Sequence, residues 1–156
     1  MILNRQRRVR IPMTELNRFL ARAQKRLGVP AGSVTVALVT DAEMKRWNRA
    51  FRGKNRPTDV LSFPVDDSPE QKSRNSLSPR RAAKFAAPSV DFYLGDVAIA
   101  PAVARGNAKR LGRTFVAEMR ILILHGILHL MGYDHETDEG QMDRRENRLR
   151  RELGLV

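Results

Sequence analysis

The sequence predicts an α+β fold, a small mixed sheet packed with helices, one of which is a core helix that binds a metal. Three observations lead there. Short apolar runs of strand length and period alternate with longer runs of helical period. The longest apolar stretch, Ile121 to Met131, belongs to a helix apolar on nearly every face, which marks it as buried. All three histidines of the chain fall at the end of that helix, in the eleven residues from His125 through His129 to His135.

Arg8 to Ile11 is expected as a short edge strand, with Val9 and Ile11 on one face. Thr14 caps a helix on which Leu16, Phe19, Leu20, Ala23 and Leu27 recur with helical period. Gly28 and Pro30 stop it. Ser33 to Val39 is a strand apolar on both faces, so both faces should be covered. Thr40 and Glu43 form a capping box for a short helix reaching about Phe51. Val60 to Val65 is a further strand, with Pro64 favouring its end or a sheet edge. Residues 66–90 are rich in Ser, Ala, Pro and charge without sustained period, and are expected as a flexible surface insertion in a single domain spanning 1–156. Phe92 to Ala100 resumes as a strand around Gly95 and Asp96. Pro101 suits a first helical turn, and Gly112 closes that helix. Thr114 caps the long apolar helix. A last amphipathic helix is expected from about Thr137, packing through Met142, Leu149 and Leu153.

Length and hydrophobic share suit one domain with a real core. Lys plus Arg number 29 against 17 Asp plus Glu, a net charge of +12, which points toward a polyanionic partner. Arg5, Arg7, Arg8 and Arg10 cluster near the start, and Arg144, Arg145, Arg148, Arg150 and Arg151 near the end. Aromatic residues are few, so no platform for stacking bases is evident. There is no cysteine, hence no disulfide and no thiolate site. The basic N-terminal residues precede no apolar signal core, and Ile121 to Met131 is too short to span a bilayer. A cytoplasmic location is expected.

Imidazole is the commonest metal-ligating side chain. His125 and His129, four residues apart, lie on one helix face. Gly132 can end the helix in a left-handed turn and bring His135 round as a third ligand. Three protein ligands leave one position of a tetrahedral ion open, the arrangement of a catalytic zinc site. The spacing His-x3-His-x2-Gly-x2-His matches the extended zincin motif. In that motif a Glu beside the first histidine is the general base. Here the position is Gly126. The ligand frame of a zincin-like site is present and the peptidase base is absent, so ordinary peptide hydrolysis is not expected. Glu118 lies seven residues before His125, roughly 10 Å up the helix axis. That is too far to touch the ion, which leaves it as a structural charge or an indirect support.

Arg52, Lys54 and Arg56 stand in a turn that precedes a strand. Taken alone they are no more than exposed loop charges. Together with their surroundings they carry a resemblance. Phe51-Arg52-Gly53-Lys54, then Pro57 to Pro64 (Pro-Thr-Asp-Val-Leu-Ser-Phe-Pro), then Leu94 to Ile99, then the histidine block resemble the YbeY family, in that family's order and over most of the chain from about Val34. Asn55 stands where the family commonly has Asp. The resemblance implies a single-strand-specific, metal-dependent bacterial endoribonuclease of ribosomal RNA processing, acting in 16S 3′-end maturation and ribosome quality control. It implies one Zn2+ held by His125, His129 and His135, and Arg52 at the cleft as the residue that serves cleavage. Its implied partners are single-stranded ribosomal RNA and the small ribosomal subunit with its assembly factors. Two alternatives stand beside it. One is a zinc-stabilised rRNA-binding assembly factor without activity. The other is a metallopeptidase, which the spacing favours and Gly126 opposes. No general base is evident, because Asp134 follows a helix-ending glycine, where an aspartate commonly serves as a turn or cap group.

Overall fold

A computed structural model describes residues 1–65 and 93–155. The elements in chain order are β1 (Ile2–Asn4), α1 (Met13–Leu27), β2 (Val34–Leu38), α2 (Asp41–Arg52), β3 (Val60–Pro64), β4 (Gly95–Ile99), α3 (Pro101–Arg110), α4 (Phe115–Leu130) and α5 (Gln141–Glu152). The insertion expected at 66–90 lies outside the described residues.

Four strands form one mixed sheet in the order β1-β2-β4-β3. β1 and β4 flank β2 in parallel, and β3 closes the far edge antiparallel to β4. Pro64 therefore sits at the end of an edge strand, where its missing N–H costs no ladder bond. All five residues of β2 and all five of β4 are buried, as expected of strands covered on both faces. On one face Val34, Val36, Leu38, Val97 and Ile99 meet α1, α4 and α5. On the other, Ala37, Val39, Leu61, Phe63 and Ala98 meet Met44 and Trp47 of α2. Edge-to-face contacts of Phe63 with Trp47 and Phe51 pin α2 to the sheet.

The strand expected from Phe92 to Ala100 spans Gly95–Ile99, Phe92 lying outside the described residues. Three other boundaries differ from the sequence expectation, each for a local reason. Arg8 to Ile11 forms no strand. Val9 is buried, but its N–H donates to Gln6 Oε1 and its C=O accepts from Gln6 Nε2, so one side chain satisfies both groups that a neighbouring strand would have bound. The edge strand is Ile2–Asn4 instead, three residues whose pairing with β2 begins where the Met1 amino group donates to Val34 O at 3.0 Å. The first helix begins at Met13, and Thr14 lies within it rather than capping it. The last helix begins at Gln141, because Asp138 folds the preceding residues into a turn. Its carboxylate accepts from Gly140 N and Met142 N, both at 2.8 Å. The caps at Thr40 and Thr114 are as expected, each hydroxyl accepting from the N–H three residues on. Glu43 does not complete a capping box; it reaches Arg5 at 3.0 Å.

α4 crosses the sheet with Met119, Ile123, Leu124, Ile127 and Leu128 wholly buried. Gly126 is what allows the close crossing. A Cβ there would stand 2.5 Å from Val97 Cγ1 and 2.9 Å from Cγ2. Ser62 Oγ of β3 donates to Gly126 O at 3.0 Å, fastening helix to strand at the same point.

Candidate metal centre

The end of α4 projects His125 and His129 to one side, both half-buried. Gly132 follows with φ +97, a conformation that glycine adopts without strain. Gly132 N–H donates to His129 O and Tyr133 N–H to Leu128 O, which turns the chain back on the helix end. Asp134 then holds the turn. Its carboxylate accepts from Glu136 N at 3.0 Å, and that N–H holds the group below the ordinary carboxylate range. This is the local role its place after Gly132 predicts.

The turn brings the exposed His135 to the other two. The three ring centroids lie 4.7, 5.3 and 5.2 Å apart, and one nitrogen from each ring falls within 4.8 Å of the others. His125 Nε2 and His129 Nε2 are 3.1 Å apart. The edge of a tetrahedron of zinc-bound imidazoles is about 3.3 Å, given metal–nitrogen bonds of about 2.0–2.1 Å. His125 Nδ1 lies 2.8 Å from Glu146 Oε2. A carboxylate only accepts, so Nδ1 carries the proton and the Nε2 lone pair faces His129. Two ring nitrogens at that distance can share one proton or hold one cation, and with His135 alongside the residues present fit one metal ion. Burial, then the neighbouring His125 and His135, hold the His129 pKa below its ordinary value, which keeps this ring in the neutral, ligating form.

Glu146 is the site residue that the sequence does not disclose. It lies 21 positions from His125, on α5, and is 4 % exposed. Burial alone would raise its pKa. The hydrogen bonds from His125 and from Arg150 behind it outweigh burial and hold the carboxyl below its ordinary value. Arg150, one of the clustered C-terminal arginines, is thus a support for the site rather than a solvated charge. Such carboxylate–histidine–metal chains fix ring orientation and raise ligand basicity. Glu146→Gln is expected to weaken metal binding at the three histidines by about 10–100-fold. Competition with a chromophoric chelator measures this, and an unchanged affinity would remove Glu146 from the site.

Arg52, the last residue of α2, lines the same cleft as the three histidines, a cavity of about 560 Å3. Its Nη2 donates to Glu136 Oε1 at 3.0 Å, in a pair open to solvent. Glu118, by contrast, is buried against Arg113 at 2.8 Å and is a structural charge. Of the other clustered arginines, Arg5 is taken up by Glu43, and Arg8 reaches Asp41 at 4.0 Å.

The family model for Endoribonuclease YbeY matches residues 1–154. The chain belongs to the YbeY family. The chain is 38 % identical over 155 residues to the Endoribonuclease YbeY of Koribacter versatilis, covering 99 % of this chain and 86 % of that protein. The YbeY of Solibacter usitatus is 41 % identical over 141 residues, covering 90 % of this chain and 78 % of its own. The solution structure of TM1509 from Thermotoga maritima superposes with a TM-score of 0.58 at 27 % identity, covering 98 % of this chain and 89 % of that one. Among the described residues of this YbeY-family chain, no helix is long and apolar enough to cross a membrane.

Proposed function

We propose that this protein is a zinc-dependent endoribonuclease that cuts single-stranded ribosomal RNA in the course of rRNA processing in the cytoplasm. The observation that carries the reading is the convergence of three imidazoles and one arginine on a single cleft. Membership of the YbeY family, whose matched relatives bear the name endoribonuclease, supports RNA as the substrate. His125, His129 and His135 would hold one Zn2+. A bound zinc ion supplies a Lewis acid for a phosphoryl oxygen and activates water near neutral pH.

The chain's own groups do the rest. The Arg52 guanidinium presents a planar fork suited to two oxygens of a phosphate and offsets charge that develops on it. Its partner Glu136 is exposed, and a pair of that kind is weak enough for a phosphate to displace. Asp59 and Asp134 of the cleft are held by the chain's own donors, Asp59 by Val60 N and Asn107 and Asp134 by Glu136 N. Glu146 orients His125 and takes no part at the phosphate. A peptidase is disfavoured on steric grounds, since the position of its general base is packed against Val97.

Arg52→Ala is expected to lower single-turnover cleavage by about 10²–10³-fold, the usual effect of losing one group that stabilises transition-state charge. Its melting temperature should stay within a degree or two of the wild type, because exposed ion pairs contribute little to stability. Cleavage at the wild-type rate would exclude Arg52 from the reaction.

A further inference from the structure

The outer face of α2 carries a row of cations of which the chemistry of the cleft uses only the last. Lys45, Arg49 and Arg52 follow at intervals of four and three residues, so they stand in one row along the helix. All three are exposed. The row covers about 10 Å of helix axis. Its last member is the arginine that lines the cleft. Like charges one turn apart repel. A helix C-terminus favours cations, which accounts for Arg49 and Arg52 in the last turn but not for Lys45 in the first half. The neighbouring Arg46 reaches Glu43 at 3.8 Å. Among the described residues, neither Lys45 nor Arg49 has a carboxylate within ion-pair distance. Rows of the same spacing run along α1 (Arg18, Arg22, Lys25) and α5 (Arg144, Arg148, Arg151), but no member of either lines the cleft.

We propose that Lys45 and Arg49 extend the Arg52 site into a track for one RNA strand, holding backbone phosphates along α2 so that the next one is delivered to Arg52 and the three histidines. The proposal rests on the endoribonuclease reading. A row of about 10 Å is long enough to meet more than one backbone phosphate of a strand that runs along α2. The other exposed residues of α2 beside the row, Ala42, Arg46 and Ala50, offer no ring on which a base could stack. The track therefore reads the backbone, and its affinity is independent of base sequence.

The test is fluorescence anisotropy of a 12-nucleotide single-stranded 2′-O-methyl RNA, checked as intact afterwards, on the metal-loaded protein across a salt series. The track predicts that the double variant Lys45→Gln/Arg49→Gln binds roughly tenfold more weakly near 0.1 M salt, with the slope of log affinity against log salt shallower by about 1.4. The matched variant Arg18→Gln/Arg22→Gln, with the same loss of charge on α1, should bind as the wild type. Equal weakening by the two double variants, or none by the first, would overturn the track. Cleavage of the unmodified RNA by the wild type is followed in the same buffer. No cleavage alongside an intact binding difference would overturn the nuclease reading and uphold the track, whereas cleavage without a binding difference would do the reverse.

Discussion

His129→Ala is expected to empty the metal centre. Its Nε2 stands 3.1 Å from His125 Nε2, and no other described side chain forms a metal-ligating group with His125 and His135. Two exposed or half-exposed imidazoles do not make a tetrahedral site with one open position. Metal content should fall from about one ion per chain to none, and RNA cleavage by about 10³-fold or more, since a catalytic ion contributes several kcal/mol to transition-state stabilisation. The variant should still fold. Alanine suits a helix better than histidine does, and the core face of α4 (Met119, Ile123, Ile127 and Leu128) is wholly buried without any contribution from the ligands. Metal analysis of the purified variant with a circular dichroism melt checks both halves. Equal metal in variant and wild type would dismiss the three-histidine centre.

Gly126→Ala is expected to damage the fold rather than the chemistry. The new methyl would stand 2.5 and 2.9 Å from the two γ-carbons of Val97, on a β4 strand buried on both faces. Val97 is branched at Cβ, so it has few rotamers into which to retreat. Helix and strand are also tied by the Ser62 bond to Gly126 O. Overpacking of this kind costs about 1–3 kcal/mol, or a fall in melting temperature of roughly 3–10 °C for a chain of this length. Gly126→Ala/Val97→Ala should recover part of that loss by returning space. A Gly126→Ala variant as stable as the wild type would mean that the helix does not pass so close to the strand. The same contact explains why the zincin spacing occurs here without the zincin base. A glutamate at 126 would meet the Val97 side chain from its Cβ onward, so this packing leaves no room for the peptidase base while valine stands at 97.

Local spacing made the histidine cluster legible, because three histidines and a glycine in eleven residues specify both a helix face and the turn that completes it. The strands buried on both faces and the two threonine caps are likewise written in short stretches of chain. Glu146 is not. Its role depends on α5 folding back against α4, and in the sequence it is one charge in a run of arginines and acids. β1 escaped for a related reason. Three residues carry too little periodicity to read, and Gln6 supplies Val9 with bonds that no propensity foresees. Arg52 lies between these cases. Its turn is visible in the sequence, but only the packing of α2 on Phe63 sets it at the histidine cleft.

The most direct measurement of the central claim is steady-state cleavage of single-stranded ribosomal RNA while zinc is titrated into the metal-free protein, beside folded His129→Ala. Activity should be absent without metal, rise with added zinc, saturate near one ion per chain and remain absent in the variant. No cleavage by the fully loaded wild type, or equal cleavage by a folded, metal-free His129→Ala protein, would contradict it.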